Sequence, residues 1–457
     1  MWIDFRGYIG TNIVPHGVQA HQLMPHMIPY SRSNNCDKIT SMRDIWGFSG
    51  NPDRQPFTRG LEGIEQGKNK KLRIEGGTPL SGTIGDVRGG KNMLAPIIFA
   101  ACLATTYMRS YIHNVPNISE LAVTSSLVEA MNAAKISFRP DNSSIEIAPV
   151  PSNDSAVPTK IGKPSRISIV AAGFLLAKQG YAEIPLPGGD DLGERDITAH
   201  VEGLRALGAQ VDDSIPGVLR FSAQEGLSGA NIKLHSPRIT ATETLILAAT
   251  KAKGRTVLKN TALDPEVEEL ISFLYQTGVN IQRLPTNEGK PSKTIVIEEA
   301  KFINGINYTL PIDRSAVVTY AVAAIATKSR EGVLVKGAPE EEIRTFLSLL
   351  DEMGGGYKAV REGIWFFYKD TLYAPKRTVV SMNKPYIESD KSIGIYADWQ
   401  PLISPLFLQA QDYDGDGPTL LLETAHPDRF HHLRAAKEAG ADVKFFQTQE
   451  EYTGTIN

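Results

Sequence analysis

Hydrophobic positions from Leu72 onward recur in a fixed order of helix and strand. An amphipathic helix, followed by a strand-like run, occurs five times, at 127–138, 201–211, 270–281, 346–357 and 433–443. Each copy follows a helix that is apolar nearly all round, at 93–104, 167–178, 242–251, 316–327 and 401–410. A helix that is apolar on every side must be buried. The pattern predicts a β-α-β-α-β-β unit that recurs roughly every 70 to 85 residues.

The chain has 457 residues, which predicts two globular α/β domains built from these units. Residues 1–71 lack a sustained period of 2 or 3.6 and are predicted to form a poorly ordered or loosely docked extension. His16, His21 and His26 lie in it without a carboxylate or thiolate at ligand spacing, so no metal site is predicted.

Composition limits the partners and the cell compartment that are expected for this protein. A net charge of -3 argues against nucleic acid as the main partner. Two cysteines, Cys36 and Cys102, indicate a reducing compartment rather than a disulfide framework. Without an apolar stretch long enough for a membrane span or a secretion signal at the N-terminus, the sequence predicts a cytoplasmic protein with no membrane partner.

Polar residues that could take part in catalysis or binding lie just before the predicted helices. They are Lys91 with Asn92, Arg166, 190–195, 238–240, Asp313 with Arg314, and Asp398. Helix N-termini carry unpaired N–H groups and a partial positive charge, and therefore attract anions. If several buried helices point their N-termini into one cleft, that cleft would hold a multiply charged phosphate compound.

Two motifs resemble known ion-binding loops. Residues 85–92 (GDVRGGKN) nearly match a Walker A loop, but Asn92 stands where a hydroxyl would bind magnesium, so a phosphate or carboxylate cradle with Lys91 is favoured. Residues 412–423 (DYDGDGPTLLLE) match the calcium-loop pattern, yet 419–423 reads better as a strand. A Gly/Asp turn is favoured there, with calcium as the alternative.

These clusters together resemble the enolpyruvyl transferase family, closest to its UDP-N-acetylglucosamine branch. The resemblance rests on the order and spacing of GGKNMLAPIIFAACLA at Gly89, LPGGDDLGERDITAHVEGLRALGAQV at Leu186, TATETLILAAT at Thr240, LPIDRSAVVTYAVAA at Leu310, ADWQPL at Ala397 and ETAHPDRF at Glu423. It implies a two-domain inside-out α/β barrel whose chain crosses twice between domains. The first domain is expected at 91–305, and the second at 72–90 plus 306–457.

The resemblance also implies a reaction and its residues. The family moves the enolpyruvyl group of phosphoenolpyruvate to the 3'-hydroxyl of UDP-N-acetylglucosamine, releasing phosphate, in the first committed step of peptidoglycan synthesis; no cofactor is required. Lys91 resembles the lysine that contacts phosphoenolpyruvate, Asp313 the base and Asp190 the acid that protonates the methylene carbon. The substrate-binding positions are Asn92 at the acceptor hydroxyl, Arg195 and Arg429 as cations, and Arg166, His200, Arg238, Ile239, Thr240 and Asp398.

Four departures from the family pattern bear on function. Asp190 stands where most members have a cysteine, which implies insensitivity to fosfomycin because that drug alkylates the thiol. Val170 replaces a common Trp near the sugar, and Ser236 with Arg238 replace Lys and Ser near the diphosphate. The chain also stops soon after the fifth repeat, so the second domain is expected to lack its sixth unit.

Three hypotheses follow. The first is the cell-wall enzyme that acts on UDP-N-acetylglucosamine. The second is a relative that acts on another nucleotide in secondary metabolism, motivated by Val170, Ser236 and Arg238. The third is an inactive or regulatory paralogue, which is disfavoured by five retained charges, those of Lys91, Asp190, Arg195, Asp313 and Arg429. The shikimate branch is disfavoured by the 89–94 and 186–193 motifs. The oligomeric state has no signal in the sequence.

Overall fold

The structure is a computed structural model in which two compact units are described. The described residues are 78–105, 108–139, 143–150, 156–157, 165–186, 196–375, 377–380, 386–387, 392–411, 419–423, 429–447 and 452–456. Unit 1 is Asp86–Ser315, and unit 2 takes in residues 78–85 and the described part of 316–456. The chain therefore passes between units at 85/86 and 315/316, whereas the sequence placed these crossings at 90/91 and 305/306.

The helices alternate between buried and amphipathic, as the hydrophobic pattern predicts. In chain order they are α1 (Lys91–Cys102), α2 (Ser119–Ala130), α3 (Ile167–Gln179), α4 (Thr198–Ala206), α5 (Ile239–Ala249), α6 (Pro265–Gln276), α7 (Arg314–Ala326), α8 (Arg344–Met353), α9 (Gln400–Phe407) and α10 (His431–Glu438). Short 3-10 turns, Glu341–Ile343 and Ala397–Trp399, lead into α8 and α9. Each of the five predicted helix pairs is confirmed.

The strands form five sheets in the described part of the chain. Their bounds are β1 (Gly82–Ile84), β2 (Ser110–His113), β3 (Ala134–Phe138), β4 (Ile145–Pro149), β5 (Tyr181–Pro185), β6 (Gln210–Asp212), β7 (Val218–Ser222), β8 (Asn231–Lys233), β9 (Arg255–Lys259), β10 (Ile281–Pro285), β11 (Pro291–Glu298), β12 (Asn307–Thr309), β13 (Val333–Lys336), β14 (Gly356–Val360), β15 (Gly363–Phe367), β16 (Arg377–Val380), β17 (Tyr386–Ile387), β18 (Ser392–Ile395), β19 (Thr419–Glu423), β20 (Val443–Gln447) and β21 (Tyr452–Ile456). Unit 1 holds the sheets β12-β2-β4-β3, β5-β7-β6 and β10-β11-β9-β8. Unit 2 holds β1-β13-β15-β14 and β17-β18-β16-β19-β21-β20.

One strand arrangement recurs in these sheets. A first strand pairs in parallel with the strand that follows the buried helix, and an antiparallel hairpin completes the sheet, as in β8, β9, β11 and β10. In the second sheet of unit 1 the first strand is reduced to a parallel bridge from Ala156 to Glu183. This matches the predicted β-α-β-α-β-β unit, repeated five times in the described residues.

The two crossings have a structural cause. The sheet that contains β2 takes its parallel partner from β12, 196 positions further along the chain, by the pairs Asn307↔Tyr111 and Thr309↔His113. Conversely β1, the first described strand, pairs in parallel with β13 of unit 2. Because 307–309 completes a sheet of unit 1, the second crossing comes ten residues later than the sequence predicted.

Close helix packing forms the core of unit 1. The helix α3 is buried without a break from Ile167 to Leu176, and Phe174 stacks on Phe99 of α1 with ring centroids 5.4 Å apart. Gly173 allows α3 to approach α5 closely, because a Cβ at this position would lie 2.1 Å from the carbonyl oxygen of Thr244. This packing fixes the N-termini of the buried helices of unit 1.

Two sequence interpretations fall wholly or partly outside the described residues. The 1–71 extension, with His16, His21 and His26, lies outside them, as does 412–418 of the calcium-like motif. The rest of that motif is strand β19, as predicted, and Glu423 is fully buried there. Its Oε2 accepts a hydrogen bond of 3.0 Å from Nε2 of Gln400, so this carboxylate has a partner within the core of unit 2.

Candidate active site

The N-terminus of α1 lies beside the segment that precedes α7. Gly89 and Ile312 form an antiparallel bridge, and the backbone nitrogen of Asp313 donates to the carbonyl of Arg88 at 2.8 Å. A Cβ at Gly89 would lie 2.6 Å from Cβ of Leu310, so the glycine lets the two segments approach. Lys91, the first residue of α1, and Asp313 are thereby brought onto neighbouring segments, although 222 positions separate them in the chain.

The Asp313 carboxylate lies at the start of a helix. Its Oδ1 accepts a hydrogen bond of 2.8 Å from the backbone nitrogen of Ser315, in the first turn of α7. A carboxylate in this position is stabilised by the partial positive charge of the helix N-terminus. The cap holds the Asp313 carboxylate in one orientation. A carboxylate has several lone pairs, so Asp313 can cap the helix with one and accept a proton with another.

Lys91 has an acidic partner that the sequence did not reveal. Its Nζ lies 2.6 Å from Oε1 of Glu120, in the first turn of α2, and each side chain is 27% exposed. Burial raises the pKa of the Glu120 carboxyl, but the hydrogen bond and charge of Lys91 outweigh this and leave the pKa below its usual value. The available signal was an acidic first turn, which is common to many helices and therefore not distinctive.

Asn92 and Arg166 meet at the N-termini of two buried helices. Nη2 of Arg166, the residue that precedes α3, donates to Oδ1 of Asn92 at 2.5 Å. Glu243 of α5 is 3% exposed and lies within range of the Arg166 charge. Burial raises the pKa of Glu243 well above its usual value; the positive charge of Arg166 opposes this shift, and Glu266 adds to it. An acidic residue within the apolar run TATETLILAA was the signal for Glu243, and it was missed.

A buried ion pair joins α6 to the start of α7. Nη2 of Arg314, at the start of α7, lies 2.9 and 3.0 Å from the two carboxylate oxygens of Glu266. Both side chains are less than a tenth exposed. Removing one member of such a pair leaves a buried charge without its partner.

A second group of predicted residues surrounds the N-termini of α4 and α5. Nε2 of His200 lies 3.0 Å from Oγ1 of Thr240, and burial lowers the pKa of His200 to about 4. Arg238 precedes α5, whose first residue is Ile239, and its Nη2 lies 3.4 Å from Oδ2 of Asp196. Hydrogen bonds from Thr198 lower the pKa of Asp196. The structure thus brings together the four predicted residues of this group.

The residues that differ from the family pattern lie in different structural surroundings. Val170 is 3% exposed within α3, so its side chain belongs to the packed interior. Ser236 and Arg238 are both half-buried, and the backbone nitrogen of Arg238 donates to the carbonyl of Ser236 at 2.9 Å. The last two therefore lie close to the His200 and Thr240 group.

Two further predicted residues lie in unit 2, where they form an ion pair. Nη1 of Arg429 lies 3.0 Å from Oδ1 of Asp398, which lies in the turn before α9. Close to them along the chain, Nε2 of His432 lies 3.0 Å from Oγ of Ser404, and burial and the charge of Arg429 lower the pKa of His432 to about 3. Arg429 thus lies beside a carboxylate and a neutral imidazole.

Two predicted site residues, Asp190 and Arg195, lie outside the described residues. Within the described ranges there is no group of three His, Cys, Asp or Glu side chains placed to bind a metal ion. Every helix in those ranges is too short or too polar to cross a lipid bilayer.

Comparison with known proteins gives consistent matches. The family model for EPSP synthase (3-phosphoshikimate 1-carboxyvinyltransferase) matches residues 74–375. A UDP-N-acetylglucosamine 1-carboxyvinyltransferase from Halothermothrix orenii is 33% identical over 374 residues, 82% of this chain and 83% of that protein. The protein of the same description from Chlamydia muridarum is 33% identical over 376 residues, 82% of this chain and 79% of its own length.

Solved structures share the fold. The enolpyruvyl transferase NikO from Streptomyces tendae has a TM-score of 0.69 at 19% identity, over 83% of each chain. An EPSP synthase from Acinetobacter baumannii has a TM-score of 0.59 at 17% identity, over 83% of this chain and 82% of that chain. Repeat architecture, family match and relatives agree: the chain belongs to the EPSP synthase family and is an enolpyruvyl (carboxyvinyl) transferase.

Proposed function

We propose that this enzyme transfers the enolpyruvyl group of phosphoenolpyruvate to the 3'-hydroxyl of UDP-N-acetylglucosamine, with release of phosphate. This is the first committed step of peptidoglycan synthesis, and we place it in the cytoplasm. The observation that carries the proposal is the position of Lys91 and Asp313 on neighbouring segments at the N-terminus of α1. The activity for which the 33% identical relatives are named supports the choice of acceptor.

The chemistry requires one base and one acid. The acceptor oxygen forms a bond to C2 of phosphoenolpyruvate while its proton passes to Asp313, and the methylene carbon takes a proton from Asp190. The tetrahedral intermediate then loses a proton from the new methyl group and expels phosphate, which restores the double bond. In its cap at α7, Asp313 is held in a fixed orientation, as a base must be.

The substrates are anions, and cations must neutralise them. We assign the phosphate and carboxylate of phosphoenolpyruvate to Lys91, Arg195 and Arg429, and the acceptor hydroxyl to Asn92. His200, Arg238, Ile239, Thr240 and Asp398 complete the substrate contacts, and Arg166 lies beside Asn92, to which it donates a hydrogen bond. Carboxylates already lie beside Lys91 and Arg429, at 2.6 and 3.0 Å. An incoming anionic group would therefore compete with Glu120 and Asp398 for these cations.

Phosphate release tests the acceptor directly. Purified protein with phosphoenolpyruvate is given UDP-N-acetylglucosamine, UMP or shikimate 3-phosphate in parallel, and phosphate is measured over time. We expect release with UDP-N-acetylglucosamine alone. Asp313→Ala is expected to lower the rate at least about a hundredfold in a protein that still folds, with a melting temperature lowered only by the loss of the α7 cap. Release with UMP or shikimate 3-phosphate instead would replace the acceptor, and no release from folded protein would refute the proposal.

A further inference from the structure

The hydrogen bond between Arg166 and Asn92 joins the N-termini of two buried helices. Asn92 is the second residue of α1, and Arg166 directly precedes α3. Nη2 of Arg166 lies 2.5 Å from Oδ1 of Asn92. The helices α1 and α3 are packed against each other through Phe99 and Phe174, so the hydrogen bond links the starts of two helices that are in contact.

This contact determines which way the Asn92 amide faces. A guanidinium group has five N–H donors and no acceptor, so the Asn92 atom that faces it must be the carbonyl oxygen. The remaining polar atom of that side chain is Nδ2, which can only donate. An asparagine without such a partner can present either its oxygen or its nitrogen to a ligand.

The orientation matters because a hydroxyl group has one proton and two lone pairs. If Nδ2 of Asn92 donates to one lone pair of the acceptor hydroxyl, the other lone pair can attack carbon and the proton can pass to the base. If the amide were reversed, Oδ1 would accept the hydroxyl proton and compete with Asp313 for it. Either orientation gives one hydrogen bond in the ground state, so binding alone would not distinguish them.

We infer that Arg166 is a positioning residue that fixes the Asn92 amide as a donor to the acceptor hydroxyl, so that the hydroxyl proton is directed to Asp313. The inference rests on the proposed function. It assigns Arg166 an effect on the transition state exerted through Asn92, rather than a contact with substrate. Losing such an effect lowers kcat and leaves KM for the acceptor nearly unchanged.

The contact that orients the Arg166 guanidinium is its hydrogen bond to Asn92. Arg166 is an exposed residue, and its Nη2 donates to Oδ1 of Asn92 at 2.5 Å. Lysine could not reproduce this arrangement, because it is a point charge on a flexible stem rather than a rigid fork of donors.

A double-mutant cycle tests the inference. Arg166→Met, Asn92→Ala and the double variant are compared with wild type for kcat and for KM of UDP-N-acetylglucosamine. Arg166→Met is expected to lower kcat about tenfold to a hundredfold, with KM within about threefold. In the Asn92→Ala background the same change is expected to cost less than about threefold, because the residue through which it acts is absent.

A matched control removes an exposed arginine elsewhere in unit 1. The side chain of Arg255, on β9, is 60% exposed and lies 3.4 Å from Glu298, so Arg255→Met is expected to leave kcat and KM unchanged. An equal loss from Arg166→Met in both backgrounds would overturn the inference. A loss confined to KM would do the same, since Arg166 would then be a substrate contact.

The cycle also has a readout that needs no substrate. If wild-type protein turns over no acceptor, the proposed function fails, and the melting temperatures of the four proteins then decide the inference. The hydrogen bond predicts that Arg166→Met lowers the melting temperature less in the Asn92→Ala background than in wild type. Equal shifts in both backgrounds would show two independent side chains and contradict it.

Discussion

The carboxyl group of Glu243 has a much higher pKa in the folded protein than in the unfolded chain. It is 3% exposed; burial raises its pKa well above the usual value, Arg166 lowers it, and Glu266 and Asp264 raise it further. A carboxyl whose pKa is raised in the folded state contributes its full stability at pH values below its unfolded pKa. That contribution is lost as pH rises towards the folded pKa, because the unfolded chain ionises first.

Glu243→Gln is therefore expected to change stability in a pH-dependent way. Glutamine resembles the protonated acid, so the variant and wild type should melt at similar temperatures near pH 5. The variant should become progressively more stable than wild type towards pH 9. Glu288→Gln, at an exposed side chain, is the control for loss of a surface carboxylate. A constant difference across this range would show that Glu243 ionises freely in the folded protein.

The assignment of Asp190 to the position of the family's cysteine can be tested with fosfomycin. Fosfomycin alkylates a thiol, so wild-type protein is expected to stay unmodified, and Asp190→Cys is expected to gain one adduct by intact mass. Asp190→Ala is the control, because it retains Cys36 and Cys102. Adduct formation on wild type or on Asp190→Ala would place the reactive thiol elsewhere and contradict the assignment.

At this scale the sequence singled out charged residues directly before the apolar helices and missed two glutamates within helices. Lys91, Arg166 and Asp313 stood out because a charge directly before an apolar helix is unusual. Glu120 and Glu243 did not stand out, since their importance depends on which helices meet. The contact of α1 with α2, and of α3 with α5, is a tertiary property that no local pattern contains.

The buried helices depend on close backbone approach at defined positions. Gly173 lies where α3 meets α5, and a Cβ there would be 2.1 Å from the carbonyl oxygen of Thr244. Gly173→Ala must therefore push α5 away from α3, and such overpacking typically costs about 1–3 kcal/mol. We expect a lower melting temperature for this variant.

Gly85→Ala is the matched control for that substitution. A Cβ at Gly85 would have Cδ of Lys336 as its nearest neighbour, at 4.0 Å, so the added methyl group meets open space. Its melting temperature is expected to stay close to that of wild type. If both alanine variants were equally stable, α3 and α5 would not be in close contact in solution.

Periodicity located the helices but not where they begin. The structure starts α1, α5 and α7 two or three residues before the predicted starts at 93, 242 and 316. The reason is that their first turns carry Lys91, Thr240 and Arg314, polar groups that interrupt the apolar pattern. The strand β12 was assigned to the wrong domain for a related reason, because its partner β2 is distant in the chain.

For the whole molecule, five repeats in two units explain why site residues are scattered along the chain. Each repeat contributes its polar residues near a helix N-terminus, as Asn92, Arg166 and Arg238 do for α1, α3 and α5. Hydrophobic periodicity predicted the repeats, and the family resemblance predicted the double crossing. The choice of acceptor has no such periodic signal, since it depends on a few side chains around each helix end.

The most direct test of the account is the product itself. Protein, phosphoenolpyruvate and UDP-N-acetylglucosamine are incubated together, and the nucleotide sugar is analysed by mass spectrometry alongside the phosphate released. The proposed reaction predicts an enolpyruvyl ether of UDP-N-acetylglucosamine formed in equal amount to phosphate. Phosphate release with an unmodified nucleotide sugar, or an unchanged mixture from folded protein, would contradict it.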